Sequence, residues 1–489
     1  MKLSLPKDDR QLIVALLVVY LLIRIVTISI LPLVRDEALY SVMIEEQRQA
    51  PTLVPTFLGY FVDWKPPVFF WVYSFFPKLD FLPLEVSYRL PSFLFGFLTI
   101  PFLYFLLKNL KLSQSASFFS VLIFTVSFLS IYAQTAVLTD SLNFFLIVLS
   151  LYLYTEEKFG SWRFILAGFL SFTAFFVKLV IAFMVPLIVL IYFYFQNKKL
   201  LFNKLFLFSL LSVPLAFLLN FYLLELTASD FGNKSFFANV VIHILTPGNL
   251  GGQFSTLLGS VSILLAGAGI WFVFSVFGFL KYWKENPAMS LWYSFTILPL
   301  ISGSLMPWYY LPVLPAISYF AISLLLKWEG KEKPDLFFFA VFSLCLLATI
   351  GFLPLIYDTI YADFISEKEV GLLLVNKSNV LIIGDYAPGI AAYKLLNDGL
   401  DFGWIVNTNK SQNEFWISEY VSNYSSNKYP TTNGSFNDIF NYLPSSTPTF
   451  RKDSNLSVFD YVALVGNYSL NTTGYLIYNS STIKVYQVN

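Results

Sequence analysis

Long apolar runs fill the chain from residue 10 to about residue 357, and they constrain its fold more than any other feature. A transmembrane helix needs about 20 predominantly apolar residues. Only 12% of the 489 residues are charged, about half the share that is usual in soluble domains. The sequence therefore predicts a polytopic α-helical membrane protein and excludes a disordered chain. About eleven spans are expected, near 11–33, 87–107, 116–133, 140–154, 164–177, 179–195, 205–224, 261–280, 288–303, 309–326 and 336–357.

The charge balance and the rare residue types exclude further classes. A formal net charge of +1 leaves no basic surface for a nucleic acid, so no nucleic-acid partner is expected. One cysteine, Cys345, excludes a disulfide scaffold and a cysteine-based zinc site. One histidine, His243, argues against a histidine-rich metal site. No cofactor is required by these residues, although a divalent cation held by carboxylates stays open.

The basic residues predict the orientation of the chain in the membrane. Loops on the cytoplasmic side carry an excess of Lys and Arg, and the short loops 134–139 and 304–308 contain neither. The N-terminus is therefore expected in the cytoplasm, and an odd number of spans places the C-terminal segment outside. The localisation predicted is the plasma membrane. The alternate, basic set of loops comprises 2–10, 108–111, 158–163, 198–204, 281–284 and 327–333.

Nine Asn-x-Ser/Thr sequons favour the same topology, because N-glycosylation occurs outside the cytoplasm. Eight of them follow residue 370, and the ninth lies in a loop that is also expected outside. The pattern predicts an N-glycosylated outer segment and an archaeal source. The sequons begin at Asn233, Asn376, Asn409, Asn423, Asn433, Asn455, Asn467, Asn471 and Asn479.

A change of composition near residue 357 predicts two domains: a transmembrane domain at 1–357 and an extracytoplasmic α/β domain at 358–489. The second is rich in Asn, Ser, Thr and Tyr. Short apolar runs bounded by turn-forming residues are typical of strands, and a proline fits the first turn of a helix. The expected elements are strands at Val380–Gly384, Trp404–Val406 and Tyr461–Val465, a helix that begins at Pro388, and a hairpin at Gly474–Val488.

The first outer loop, 34–86, is anomalously rich in charge for this chain. Asp36 and Glu37 follow the first span directly, and such a pair can bind a cation or supply a general base. Lys65 stands before two prolines, which restrict the backbone. The loop therefore predicts a fixed cation for an anionic leaving group beside a base.

The same loop contains a segment, 38–49, that can form an amphipathic helix at the membrane interface. Its solvated face is expected to carry Glu45, Glu46 and Arg48. These three charges are interpreted as surface residues rather than as part of a site.

Two further charged residues interrupt apolar segments. Asp140 begins a span; it is a candidate for catalysis, or it caps the helix or stabilises the helix N-terminus. Lys178 lies between the basic segments 155–163 and 196–204, which are only about 32 residues apart. Two full spans need more residues than that, so a short turn with Lys178 at its recessed apex is expected. A charge at such a depth indicates a cavity or a partner.

Several short motifs, in their order along the chain, resemble the GT-C superfamily of polyprenyl-phosphate-sugar-dependent glycosyltransferases. The relatives that look most similar are protein O-mannosyltransferases and aminoarabinose transferases of the lipid A type. The resemblance covers residues 10 to about 330 and implies a helical bundle with a lipid-accessible cavity. The motifs are RDEALY at 35–40, WKPP at 64–67, RLPS at 89–92, AQTAVLTD at 133–140, Lys178 and YYLPVLP at 309–315.

The resemblance also implies roles for individual residues. Asp36 matches the carboxylate thought to activate the acceptor hydroxyl. The implied reaction is an inverting displacement that moves a sugar from a polyprenyl (dolichyl-type) phosphate donor to a hydroxyl of a protein, lipid or glycan acceptor. The expected catalytic residues are Asp36, Glu37 and Asp140, and the expected donor phosphate-binding residues are Lys65, Arg89 and Lys178.

Alternative functions stay open at this point. One is a membrane transporter or lipid flippase, although the sequence shows no pair of corresponding halves of the kind that transporters tend to have. Another is a binding protein whose glycosylated outer segment is the functional part. Oligosaccharyl transfer to asparagine is less favoured, because the sequence lacks Trp-Trp-Asp-x-Gly and Asp-x-x-Lys motifs.

Overall fold

The structure is a computed structural model that describes separate stretches of the chain. Some predictions fall outside the described residues: Arg35, Trp64, His243, Cys345, most of the span at 336–357, the strand at Trp404–Val406, and every sequon except those at Asn376 and Asn479. The described residues are 8–34, 36–57, 60–61, 65–178, 181–227, 261–297, 307–327, 340, 342–344, 346–347, 364–377, 380–384, 388–397, 415–416, 449–450, 461–465, 475–480 and 483–487.

The chain divides into two compact units. We call the first the helical unit; it comprises Met1–Ile30, Asp80–Leu223 and Asn233–Leu355. We call the second the loop–sheet unit; it comprises Leu31–Leu79, Leu224–Gly232 and Ile356–Asn489. The segment that follows the first span thus groups with the C-terminal segment, a grouping that the sequence pattern does not reveal.

Helices dominate the described part of the chain. The helices at 36–49, 68–74, 364–373 and 388–397 belong to the loop–sheet unit. In chain order the helices are α1 (Asp9–Ile30), α2 (Asp36–Gln49), α3 (Val68–Ser74), α4 (Leu84–Asn109), α5 (Gln114–Val126), α6 (Phe128–Ala133), α7 (Thr139–Thr155), α8 (Trp162–Val177), α9 (Met184–Gln196), α10 (Lys204–Leu210), α11 (Ser212–Thr227), α12 (Val261–Ala268), α13 (Ile270–Tyr282), α14 (Pro287–Ile297), α15 (Leu314–Lys327), α16 (364–373) and α17 (Pro388–Asn397).

Among the described residues, three helices are long and apolar enough to cross a membrane: Asp9–Ser29, Leu84–Asn109 and Tyr309–Lys327. A fourth crossing results if α12 and α13 together count as one span. Five shorter apolar helices lie at Gln114–Val126, Thr139–Thr155, Trp162–Val177, Ile181–Gln196 and Lys204–Asn220. These helices coincide with predicted spans, whereas the total of eleven stays a prediction.

Breaks within predicted spans are visible in the described stretches at 116–133 and 261–280. The span at 116–133 divides at Ser127, which is extended (ψ 136°) and is the N-cap of α6. The span at 261–280 bends by 110° between α12 and α13. Gly269 lies at that bend with φ 63°, a left-handed conformation that glycine adopts without steric cost. Apolar length alone does not show such breaks.

The loop–sheet unit contains a four-stranded sheet in the order β3-β6-β8-β7. Its strands are β3 (Val380–Gly384), β6 (Tyr461–Val465), β7 (Tyr475–Asn479) and β8 (Ile483–Gln487). β3 and β6 are parallel, and the other two pairs are antiparallel. Two pairs of two-residue strands complete the described strands: β1 (Thr56–Phe57) with β2 (Tyr60–Phe61), and β4 (Phe415–Trp416) with β5 (Thr449–Phe450).

Apolar side chains from the sheet and two helices form the core of this unit. Helix α17 begins at Pro388, and strands β3, β6 and the β7–β8 hairpin lie where the sequence predicts them. Parallel strands need a crossover connection, which commonly contains a helix. The buried core residues are Val370, Leu374, Val380, Ile390, Ala463, Ile483 and Val485.

Candidate functional site

A buried ion pair joins Asp140 and Lys178 in the helical unit. The ammonium of Lys178 donates to Oδ1 of Asp140 at 2.5 Å, and the side chains are 3% and 14% exposed for Asp140 and Lys178 respectively. The two residues are 38 positions apart in the chain. The structure therefore brings together two of the six predicted site residues in direct contact.

The ends of α7 and α8 hold this pair in place. Asp140 lies in the first turn of α7, and Lys178 follows the last residue of α8. Asn143, nearly one turn after Asp140, donates to the carbonyl of Ala174 at 2.7 Å. The amide of Lys178 donates to the same carbonyl at 3.0 Å. Helix α8 therefore ends directly before Lys178, and one backbone oxygen ties Lys178 to α7. The short turn with a recessed apex stays a prediction.

The predicted alternative that Asp140 caps its helix is wrong. The N-cap of α7 is Leu138, and no side chain caps that helix. Because Asp140 is in the first turn, its charge still interacts favourably with the positive end of the helix dipole. Its second carboxylate oxygen, Oδ2, is buried and has no hydrogen-bond partner among the described residues. That oxygen is available to accept a hydrogen bond from a hydroxyl.

An aromatic ring covers the lysine of the pair. The ammonium of Lys178 lies 4.0 Å from the centroid of the Tyr309 ring, within the range of a cation–π contact. Tyr309 belongs to the short 3₁₀ helix Pro307–Val313. The sequence includes Tyr309 in a motif but does not predict this contact.

Arg89, on α4, is 1% exposed and donates from Nη1 to the carbonyl of Ile28 at 3.2 Å. Ile28 lies in the last turn of α1, where carbonyls lack partners within the helix. This contact gives Arg89 a structural function in joining α1 and α4. Its predicted function in phosphate binding stays a prediction.

A second buried arginine, Arg24, was not identified from the sequence. It is fully buried within α1, donates to the hydroxyl of Ser130 at 3.0 Å and lies over the ring of Tyr20. Its Nε and Nη1 have no hydrogen-bond partner among the described residues. The Ser130 hydroxyl in turn donates to the amide oxygen of Gln134. A charged residue inside an apolar span is the sequence signal that marks it.

In the loop–sheet unit, Asp36 and Glu37 form the first turn of α2. Glu37 is 1% exposed, and its carboxylate accepts from the amide of Val34 at 3.2 Å. The amide of Glu37 donates in return to the carbonyl of Val34 at 2.8 Å. These reciprocal bonds resemble those of a capping box, so Glu37 fixes the start of the helix. Asp36 is partly exposed.

One tyrosine contacts both Asp36 and Lys65. The hydroxyl of Tyr40 lies 3.4 Å from Oδ2 of Asp36, and the ammonium of Lys65 lies 5.1 Å from the centroid of the Tyr40 ring. The ring itself packs edge-on against Phe69 and Phe70 of α3. Tyr40 thus brings a carboxylate and a cation from separate parts of the sequence to one phenol.

The two prolines after Lys65 position it. Pro66 and Pro67 are buried, and Pro67 is the N-cap of α3. Because proline fixes φ, the backbone that carries Lys65 has little freedom. The sequence predicts a fixed cation at this position. In the structure Lys65 is half-buried and lies three residues before α3 begins.

The prediction of a solvated face on α2 is wrong for Glu46. Ten of the 14 residues of α2 are buried, and Glu46 is 2% exposed. Arg48 is half-buried and donates to Glu45 and to the carbonyl of Phe76. A helix that is covered on several sides does not lie freely at an interface. Packing within the loop–sheet unit explains why the amphipathic pattern was misleading.

No group of three or more His, Cys, Asp or Glu side chains in the described stretches is arranged to hold a metal ion. Asp36 and Glu37 are adjacent, but the carboxylate of Glu37 accepts from the backbone before the helix.

Residues 64–222 match the sequence model of the family described as dolichyl-phosphate-mannose-protein mannosyltransferase. The matched segment contains four of the six predicted site residues: Lys65, Arg89, Asp140 and Lys178. No curated protein matches the chain in sequence.

Solved structures extend the likeness to the whole chain. ArnT from Cupriavidus metallidurans bound to undecaprenyl phosphate matches over 99% of each chain, with a TM-score of 0.63 and 14% identity. This chain has an ArnT-like fold. The archaeal oligosaccharyltransferase AglB from Archaeoglobus fulgidus, in complex with an inhibitory peptide and a dolichol-phosphate, matches over 94% of this chain and 69% of its own, with a TM-score of 0.55 and 12% identity.

The resemblance of the motifs to the GT-C superfamily is thereby confirmed. The family match and the ArnT-like fold indicate a membrane glycosyltransferase. At these identities, the structural likeness establishes the fold alone.

Proposed function

We propose that the chain transfers a sugar from a polyprenyl (dolichyl-type) phosphate donor to a hydroxyl of a protein, lipid or glycan acceptor, with inversion at the anomeric carbon. One observation carries this proposal: the segment that matches the family model, 64–222, contains Lys65, Arg89 and Lys178, the cations proposed to bind the donor phosphate. Lysine and arginine recognise phosphate through charge-assisted hydrogen bonds.

A lipid-linked donor fits the fold and the composition. ArnT and AglB share this fold, and their structures contain undecaprenyl phosphate and a dolichol-phosphate respectively. A sugar carried on a polyprenyl chain is delivered from within the bilayer, to which the apolar helices of this chain are suited. A nucleotide sugar, by contrast, is water-soluble and is not delivered from within the bilayer.

Asp36 is the proposed general base. It removes the proton from the acceptor hydroxyl, whose oxygen then forms a bond to the anomeric carbon. The bond between that carbon and the phosphate oxygen breaks, and its electron pair leaves with the polyprenyl phosphate. Asp36 suits this role because it is partly exposed and contacts the Tyr40 hydroxyl at 3.4 Å. A positioned base contributes about 10²- to 10⁴-fold to the rate.

The remaining predicted residues stabilise charge and orient the donor. Lys65 neutralises the leaving phosphate, assisted by Lys178 and Arg89. The buried Oδ2 of Asp140 accepts a hydrogen bond from a hydroxyl of the donor sugar, while Oδ1 stays bonded to Lys178. Glu37 supports Asp36 by fixing the first turn of α2. That these residues act in a single site stays a prediction.

The proposed topology places the reaction on the extracytoplasmic side of the plasma membrane. The N-terminus is cytoplasmic, the transmembrane domain is 1–357, and the C-terminal domain at 358–489 is extracellular and N-glycosylated. Support comes from the basic loops and from the sequons after residue 370.

The test is an assay of the purified chain in lipid nanodiscs with a panel of polyprenyl-phosphate sugars, among them dolichyl-phosphate mannose, and a peptide rich in Ser and Thr. A sugar–peptide product with the inverted anomeric configuration, read by NMR, is expected. Transfer from a nucleotide sugar, or lipid translocation in liposomes without any sugar transfer, would overturn the proposal. The second result would favour a flippase.

A further inference from the structure

Helix α17 packs against α2 within the loop–sheet unit. α17 follows strand β3 of the four-stranded sheet, and α2 begins with Asp36. The C-terminal part of the chain therefore contacts the helix that carries the proposed base.

Tyr393 of α17 forms a hydrogen bond with the backbone just before α2. Its hydroxyl accepts from the amide of Leu33 at 2.8 Å, across 360 positions of the chain. Tyr393 and Leu33 are 1% and 0% exposed respectively. The next amide, that of Val34, donates to Glu37. Two consecutive amides before Asp36 are therefore held by side chains, one of which comes from α17.

The Tyr393 side chain is itself fixed by close packing. A Cβ on Gly371, in α16, would lie only 2.6 Å from the Cβ of Tyr393, so only glycine allows this approach. The ammonium of Lys368 lies 5.6 Å from the centroid of the Tyr393 ring. A phenol held in this way offers its hydroxyl at a defined position.

A second bond attaches the other end of α17 without involving Leu33. Lys78, which follows α3, donates from its ammonium to the carbonyl of Leu396 at 2.9 Å. That carbonyl lies at the end of α17, where helix carbonyls need partners from elsewhere. Loss of this bond would loosen α17 but leave the bond between Tyr393 and Leu33 in place.

We propose that Tyr393 is a positioning residue for Asp36, and this inference rests on the proposed function. By accepting the Leu33 amide, the hydroxyl fixes the segment that enters α2 and hence the direction of the first helical turn. Misplacing a reacting group by about 1 Å costs roughly 100-fold in rate. The C-terminal sheet and its helix thereby contribute to the geometry of the reaction through one hydroxyl.

The test compares the full-length wild type with Tyr393→Phe, in nanodiscs, with a polyprenyl-phosphate sugar and an acceptor that the wild type uses. The variant keeps the ring and removes the hydroxyl. We expect kcat to fall about 10- to 100-fold, while the KM for the donor stays unchanged, since no residue assigned to the donor is altered. The thermal unfolding midpoint should fall by only a few degrees, because one buried amide loses its partner.

Two matched controls separate positioning from loosened packing. Tyr478→Phe removes another tyrosine hydroxyl of the same unit, one that donates to Glu369 at 2.7 Å rather than to the segment before α2. It should leave kcat unchanged. Lys78→Met weakens the attachment of α17 but leaves the bond to Leu33 in place. It should therefore lower the unfolding midpoint while kcat stays near that of the wild type.

The outcomes are distinguishable from a failure of the proposed function. A wild type that transfers no sugar from any polyprenyl-phosphate donor would overturn both proposals. If the wild type transfers sugar and Tyr393→Phe keeps its kcat, the positioning function alone is overturned. It is also overturned if Tyr393→Phe fails to fold. A further contradicting result is that Lys78→Met lowers both kcat and the unfolding midpoint by the same amounts as Tyr393→Phe.

Discussion

The loop–sheet unit and the helical unit each contain one carboxylate predicted to take part in catalysis, and their surroundings differ. Asp36 is partly exposed and contacts a phenol at 3.4 Å. Asp140 is 3% exposed and forms an ion pair at 2.5 Å. A partly exposed carboxylate can be reached by an acceptor hydroxyl, whereas Oδ1 of Asp140 is already bonded to Lys178. The contrast supports the proposal that Asp36 takes up the proton and that Asp140 orients the donor.

The largest expected effect comes from Asp36→Asn. Transfer should fall about 1000-fold, because the amide cannot accept the acceptor's proton. The unfolding midpoint should stay near that of the wild type, since the side chain is partly exposed. Initial rates and differential scanning calorimetry measure the two quantities. Glu45→Gln, on the same helix, should keep its activity; equal losses in both variants would remove the contrast between the carboxylates.

Lys65→Met should reduce kcat/KM for the donor about 100-fold, because a positioned cation no longer stabilises the leaving phosphate. The matched control is Lys377→Met, since Lys377 also lies over a tyrosine ring, that of Tyr461, at 5.4 Å in the same unit. Steady-state kinetics with varied donor concentration give the result. A full effect with the control, or none with Lys65→Met, would contradict the assignment.

Lys178→Met tests the buried pair in the helical unit. It leaves Asp140 buried without its counter-ion, which typically costs about 3 kcal/mol of unfolding free energy or more. The double variant Asp140→Asn with Lys178→Met should recover most of that stability, because no unpaired charge remains. Thermal unfolding in one detergent measures all of the variants. Additive losses would mean that the pair does not couple the ends of α7 and α8.

The smallest effect is expected from Tyr40→Phe, which keeps the ring beneath Lys65 and removes only the hydroxyl near Asp36. A single hydrogen bond of this kind contributes about 1 kcal/mol, so kcat should fall about threefold to tenfold. The KM for the donor should not change. A rise in that KM would show instead that the hydroxyl assists Lys65.

Local patterns in the sequence predict the elements better than the contacts among them. The apolar runs place α1, α4, α7 and α8 well, since burial in a bilayer requires unbroken apolar length. They miss the break at Ser127, because a serine in an apolar run does not by itself end a helix. They also misjudge Glu46, because an amphipathic pattern does not show what covers the polar face.

Part of the candidate site can likewise be predicted from the sequence. The spacing of basic segments predicts the turn at Lys178, and charge density marks Asp36 and Lys65. Arg24 interrupts an apolar span and could have been found by the same criterion. Tyr40 and Tyr393 carry no such signal, because tyrosine is common in this chain, with 30 copies.

The sequence by itself determined the membrane class, the order of the motifs, the resemblance to the GT-C superfamily and the six candidate residues. The tertiary structure alone decided which side chains meet: Lys178 with Asp140, Tyr40 with Asp36 and Lys65, and Tyr393 with the backbone before α2. The physical reason is that apolar periodicity and charge report on the environment of each segment separately. A hydrogen bond across 360 positions depends on how helices and sheet pack together, and no local pattern encodes that packing.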